Sequence, residues 1–310
     1  MKVTVVGAGV AGLTSATALR AAGNEVAIVA RDVHHDTVSS VAAAVWTVTS
    51  AQPAAAARRW ALTSHARFAE LGDDPATGVV AMRHHELDRY AAPSSWWETT
   101  PFVRRLTTDE LPPGYLGGLA IEGYLIEPSI YLDWLDERLA DRGVTTEIAH
   151  VDRLDDLDGD VIVNCTGLGA AGLVGDTHLV PIRGQIVTVA NPGITDGVTD
   201  ESDERRITYV YPRSRDVVLG GTRIHGDQST AADPAETRRI LADTRRLDPR
   251  LADAPVTGVR VGLRPGRSHV RLDADHLDDG RRVVHNYGHG GAGYILSWGC
   301  ALDVVGLVAE

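Results

Sequence analysis

Cysteine is almost missing from this 310-residue sequence, which holds only Cys165 and Cys300, each in an apolar or Gly-rich setting. Two such thiols build no disulfide framework, so a reducing, cytoplasmic compartment is expected. Positive charge is short as well: 30 Lys and Arg stand against 42 Asp and Glu, a net charge of −12. That balance excludes nucleic acid and anionic membrane surfaces as partners, since both are held by clustered cations. No run of eighteen apolar residues occurs, which excludes a membrane-spanning helix. Low-complexity and strongly polar tracts are missing too, which argues against disorder. So are a Gly-x-Ser-x-Gly elbow for acyl transfer and a peroxisomal C-terminus, the chain ending Val-Ala-Glu. Lys2 and the apolar residues after it superficially resemble a secretory signal. However, Gly7, Gly9 and Gly12 interrupt the stretch and favour a strand, a turn and a helix.

What is present is an ordinary globular composition, 44% apolar and 23% charged. The length suits two domains of about 150 residues each. Residues 2–6 read as a buried strand, 10–22 as a helix and 25–30 as a second strand, the first unit of a doubly wound sheet. Between 50 and about 130 tryptophans and prolines appear without strand-helix alternation, as in a separate lobe. Residues 129–142 carry a helical pattern and 145–148 read as a strand. Residues 160–169 read as an apolar strand stopped by a Gly-rich turn, beside which a nucleotide sits naturally. From about 181 to 263, short runs of Val, Ile and Thr predict a mostly antiparallel sheet facing a substrate.

Two Gly-rich turns frame the chain. Gly7-Ala8-Gly9-Val10-Ala11-Gly12 follows a β-branched strand and opens a helix, which presents a helix N-terminus to a pyrophosphate. The acidic residue that usually meets the ribose is displaced. Either Asp32 takes that role one position late, or Arg31 contacts the nucleotide; a competing reading makes Arg31 a clamp for a 2′-phosphate. The second turn, Val284-His285-Asn286-Tyr287-Gly288-His289-Gly290-Gly291-Ala292-Gly293, requires a close backbone approach. His285 and His289 lie in a turn without a third ligand, so no metal is expected. The pairs His34-His35 and His84-His85 read as solvated loop residues. Arg264, at a strand end before Pro265, is poised to offer a planar fork to a carboxylate. Tyr209 and Tyr211 alternate onto one strand face, where one of them could cap the same ligand.

Those stretches resemble the FAD-dependent D-amino acid oxidases, with D-aspartate oxidase as near relative. The match runs through nearly the whole chain, including 160–167, Arg183-Gly184-Gln185-Ile186, Leu219-Gly220-Gly221-Thr222, Gly262-Leu263-Arg264-Pro265 and Gly299-Cys300-Ala301. The resemblance implies an α/β fold, with a Rossmann-type FAD-binding domain (1–49, 131–180 and 268–310) and a mostly antiparallel substrate-binding and interface domain (50–130 and 181–267). It implies that Arg264 and Tyr209 bind the substrate α-carboxylate and that backbone around Gly291 accepts from the α-amine. By the same implication Ser39, Ser40, Ala43, Ala44 and Val45 line the flavin and Val151 touches the adenosine part. Thr166, Gly167, Gly288, Gly290, Gly293, Tyr294 and Ile295 complete the cofactor site. The implied reaction is hydride transfer from a neutral or apolar D-amino acid to flavin N5, giving a 2-oxo acid, ammonia and hydrogen peroxide with oxygen as acceptor. Orientation matters more there than a general base. The resemblance also suggests a homodimer. One departure concerns specificity: where members often carry a second lid tyrosine, this chain has Arg205, followed by Arg206, which keeps acidic D-amino acids as rival substrates. Glycine and sarcosine are rival substrates for the same chemistry, and nucleotide binding without turnover would place the chain in a different class.

Overall fold

The computed structural model describes residues 1–90, 96–203 and 206–310. Strands β1 (Lys2–Val6), β2 (Glu25–Ala30), β3 (Val45–Trp46), β4 (Val79–Asp88), β5 (Val103–Arg105) and β6 (Gly117–Ile126) come from the first part of the chain. Strands β7 (Thr145–Ile148), β8 (Val161–Asn164), β9 (Val180–Ala190), β10 (Gly197–Asp200), β11 (Thr208–Pro212), β12 (Asp216–Gly220) and β13 (Ile224–His225) follow. The last strands are β14 (Val256–Gly266), β15 (Arg271–His276) and β16 (Arg282–Tyr287). The helices are α1 (Val10–Ala21), α2 (Ala54–Leu71), α3 (Pro128–Ala140), α4 (Ala170–Leu173), α5 (Pro234–Leu247) and α6 (Gly293–Ala309).

One sheet runs β15-β16-β8-β1-β2-β7 and is parallel except at the β15 edge. Val3, Val5 and Val6 of β1 are buried, as are all four residues of β8, because central parallel strands are covered on both faces. Helix α6 is apolar nearly all round, so it can only be a core helix. It packs against α1 and α2, and Gly299 lets the backbone of Trp60 come so close that no Cβ would fit. That contact explains the Gly-Cys-Ala stretch near the C-terminus. The lobe expected to lack helix and strand alternation contains α2, β4, β5 and β6; the buried side of α2 (Trp60, Ala61, Ser64, Phe68) lies on α6 and the adjoining core.

The second sheet runs β13-β9-β12-β11-β10-β4-β6-β3, with β14 on β9 and β5 on β6. Its pairings are antiparallel except β10 with β4. Strand alternation separates its faces. Val210, Val217 and Leu219 pack with Ile240 of α5, whose first turn is capped by the Asp233 carboxylate accepting from the Ala235 N–H. Tyr209, Tyr211, Val218 and Ile186 cluster on the opposite face, with Val45 and Met82. Between this face and the C-terminal ends of β1 and β8 lies a continuous cleft of about 1900 Å³.

Candidate active site

The part of the cleft beside the Gly7 turn is shaped by backbone. Gly7 holds φ at +114°, and a Cβ there would lie 2.7 Å from the Cys165 carbonyl oxygen. A Cβ on Gly12 would run into the Gly7 carbonyl. The first turn of α1 has no side-chain cap on Gly9, while the Val10 N–H donates to Ser39 Oγ at 3.0 Å. A helix start facing a cleft, with Ser39 meeting only its first N–H, suits an anion. Ala8, Gly9 and Val10 line this part, and Arg31 and Asp32 sit across it at the end of β2, paired with each other at 2.8 Å. Val151 lines the same end.

The cleft is also lined by Ser39, Ala43, Ala44 and Val45 and by Thr166, Gly167 and Gly288 to Ile295. Ala44 takes a left-handed φ of +54°, uncommon for alanine. Tyr294 donates its hydroxyl to the Ser39 carbonyl, tying these two groups together, and the Gly290 N–H donates to the Pro265 carbonyl at the end of β14. Two expected residues lie behind the wall rather than on it. Gly12 faces the Gly7 carbonyl, and Ser40 is buried, its hydroxyl donating to the Thr37 carbonyl and accepting from Arg260. Ser40 therefore braces the loop.

Sequence reasoning missed Thr47 and underread His289. Both line the cleft, and Thr47 Oγ1 and His289 Nε2 are buried with no hydrogen-bond partner among the described residues. Burial pushes His289 down to about 4, so it is neutral at pH 7. Orphaned buried polar atoms call for a ligand, and a polar heterocycle such as flavin fits them. His285 packs its Nδ1 against Asn164 Nδ2 at 3.3 Å. His84, read as solvated, is fully buried in β4, with Nε2 at 2.9 Å from Thr199 Oγ1; pairing with β10 draws it inside. His34 and His35 converge on Asp133 Oδ1 at 2.8 and 3.1 Å, away from the cleft lining.

Another part of the cleft centres on Arg264. Its guanidinium lies over Gly184 of β9, where a Cβ would come within 2.6 Å of Cζ, and Nη1 donates to the Thr222 carbonyl at 3.1 Å. The Tyr209 ring lies over Gly220 of the neighbouring β12, so closely that no Cβ fits. Two glycine-cleared spots on adjacent strands thus let both side chains fold inward, where each perturbs the ionisation of the other. Gly291 closes the group, 3.7 Å from Arg264 Cδ by its Cβ position. Burial holds the Arg264 pKa down, with Tyr209 opposing, and burial raises the Tyr209 hydroxyl. Among the described residues no carboxylate pairs with Arg264; Glu201 is bound to Arg223 at 3.3 Å instead. Arg205 lies outside the described residues, and Arg206 is exposed.

Residues 2–307 match the FAD dependent oxidoreductase family. The chain is 45% identical to D-amino-acid oxidase from Rubrobacter xylanophilus over 99% of this chain and 95% of that one. It is 40% identical to D-amino-acid oxidase from Streptomyces coelicolor (99% and 97% covered) and 34% identical to D-aspartate oxidase from Homo sapiens (100% and 95% covered). Glycine oxidase from Geobacillus kaustophilus has the same fold, with a TM-score of 0.82 at 21% identity over 99% of this chain and 94% of that one. A nucleotide turn, a cleft with orphaned polar atoms and a family match along nearly the entire length agree: the chain belongs to the FAD-dependent oxidoreductases and is an enzyme that takes FAD as its cofactor.

Proposed function

We propose that the protein is a D-amino-acid oxidase using oxygen as acceptor. The observation that carries this reading is the half-buried Arg264 guanidinium, which has no carboxylate partner among the described residues and meets the Tyr209 hydroxyl beside the Gly291 turn. A cation so placed is costly until an anion arrives. The α-carboxylate of an amino acid is that anion, held by hydrogen bonds to Arg264 and Tyr209. Backbone around Gly291 accepts from the α-amine. With carboxylate and amine both fixed, the single α-hydrogen points at the cofactor in only one enantiomer, and D-selectivity follows from that orientation. Bound FAD supplies the hydride acceptor and the route for electrons to oxygen.

Gly7, Ala8, Gly9 and Val10 cradle the pyrophosphate in this reading, with Gly12 letting the turn close. Arg31, Asp32 and Val151 meet the adenosine part. Ser39, Ala43, Ala44, Val45, Thr166, Gly167, Gly288, Gly290, Gly293, Tyr294 and Ile295 surround the flavin, and Ser40 holds its loop from behind. The same proposal assigns 1–49, 131–180 and 268–310 to FAD binding and 50–130 and 181–267 to substrate. Two buried free thiols support a cytoplasmic setting, and family resemblance supports a homodimer. The relatives named D-amino-acid oxidase support the reaction. Anaerobic mixing of the purified flavoprotein with D-alanine, L-alanine, D-aspartate and glycine tests it through flavin absorbance. Bleaching by D-alanine and not by L-alanine is expected; no bleaching by any D-amino acid overturns the reading.

A further inference from the structure

The cleft continues past Tyr209 along the second sheet, and we propose that Glu86 there receives the terminal cation of a basic D-amino acid, making D-arginine and D-lysine substrates beside neutral ones. The inference rests on the reading of Arg264 and Tyr209 as the carboxylate anchor.

Glu86, Thr199, Tyr209 and Gly220 are register partners on the adjacent strands β4, β10, β11 and β12. Residues in one such row point to the same face, here the face that lines the cleft. Two strand spacings, about 10 Å, separate Glu86 from Tyr209. A long side chain anchored at its α-carboxylate spans such a gap, and a methyl group does not.

Apart from His84 Nδ1, which is buried without a hydrogen-bond partner among the described residues, the polar groups around Glu86 are already engaged. His84 Nε2 is bonded to Thr199 Oγ1 at 2.9 Å, Thr199 Oγ1 to the Tyr211 hydroxyl at 2.6 Å, and Glu201 to Arg223 at 3.3 Å. Glu86 alone of this group has neither a hydrogen bond nor an ion pair among the described residues. A half-buried carboxyl with nothing to bind is costly, and the missing partner is a donor that enters from the cleft. Burial, together with the charges of Glu201 and Asp88, pushes Glu86 up to about 8. It is therefore mostly protonated near pH 7 in the empty cleft, which tolerates an apolar side chain. A guanidinium or ammonium docking there restores the ionised form, the proton leaving to solvent, and forms a charge-assisted pair. An acidic side chain finds no such gain, since protonated Glu86 offers it at most one hydrogen bond and no cation, and Glu201 already holds Arg223, so D-aspartate and D-glutamate are poor substrates.

The test compares wild type with Glu86→Gln, which keeps shape and hydrogen-bonding capacity. kcat and KM are measured by peroxide formation with D-arginine, D-lysine, D-methionine and D-glutamate, with flavin absorbance checked for both proteins. The inference expects wild type to oxidise D-arginine and D-methionine and to turn over D-glutamate poorly. In E86Q the ratio of kcat/KM for D-arginine to that for D-methionine falls at least tenfold, through KM for D-arginine. A ratio unchanged within twofold, whether both values fall or neither does, overturns it. Wild type oxidising D-methionine but not D-arginine overturns it and leaves the oxidase reading standing. Wild type oxidising no D-amino acid overturns the oxidase reading itself.

Discussion

Adding one methyl group at Gly184 isolates the carboxylate anchor from the rest of the molecule. Gly184 sits inside β9 opposite Gly262 of β14, and its φ is not left-handed, so alanine fits the backbone. Its Cβ would fall 2.6 Å from Cζ of Arg264. The colliding atoms are the far end of a flexible side chain, so the strand stays and the guanidinium swings away from the Thr222 carbonyl and the Tyr209 hydroxyl. Losing one charge-assisted hydrogen bond to a bound carboxylate costs about 1.5 to 3 kcal/mol. At 1.36 kcal/mol per factor of ten, that is about a 12- to 160-fold loss in kcat/KM for D-alanine. Peroxide formation gives the rate, and the flavin spectrum shows that the cofactor is retained. Gly306→Ala serves as control, because a Cβ there meets nothing within 4 Å. A Gly184→Ala enzyme within twofold of wild type would refute the reasoning. So would loss of flavin, since the disturbance would then not be confined to the guanidinium.

Gly12→Ala has the opposite signature: its Cβ strikes the Gly7 carbonyl, which is backbone and cannot swing aside, so the protein is expected to purify with little flavin. A fully yellow G12A protein would contradict this. Stability should fall as pH drops from about 6.5 to about 4.5. Burial lowers His84 to about 3 and His285 and His289 to about 4, so below the ordinary value of 6.5 the unfolded chain takes up three protons that the folded one refuses. Glu86, raised to about 8, opposes with one proton held only in the folded state. Three less one leaves two, about 2.7 kcal/mol per pH unit, readable as urea midpoints at pH 6.0, 5.5 and 5.0; a flat or rising profile would refute the assignment.

How much of this was legible depends on whether a residue's meaning is local. The unit β1-α1-β2 was readable almost to the residue, because β-branched runs bounded by Gly7 and Gly23, both at positive φ, define it within thirty residues. Helix α2 was not: its start, Ala54-Ala55-Ala56-Ala57-Arg58-Arg59, carries no apolar period, and its buried side is explained only by α6, far away in the chain. Glu86 was hidden for a related reason. The neighbouring pair His84-His85 reads as solvated loop residues, and only pairing with β6 and β10 makes a strand that turns His84 and Glu86 inward. The anchor shows the same division most sharply. Arg264 and Tyr209 are visible as residue types, whereas Gly184 and Gly220 belong to separate stretches with no evident common purpose. Register brings them together: Gly220 pairs with Ile186, two residues from Gly184 on the adjoining strand. A tyrosine from one flank and an arginine from the other can then lie over cleared backbone and meet, so the proposed carboxylate site is a property of strand order as much as of the residues assigned to it.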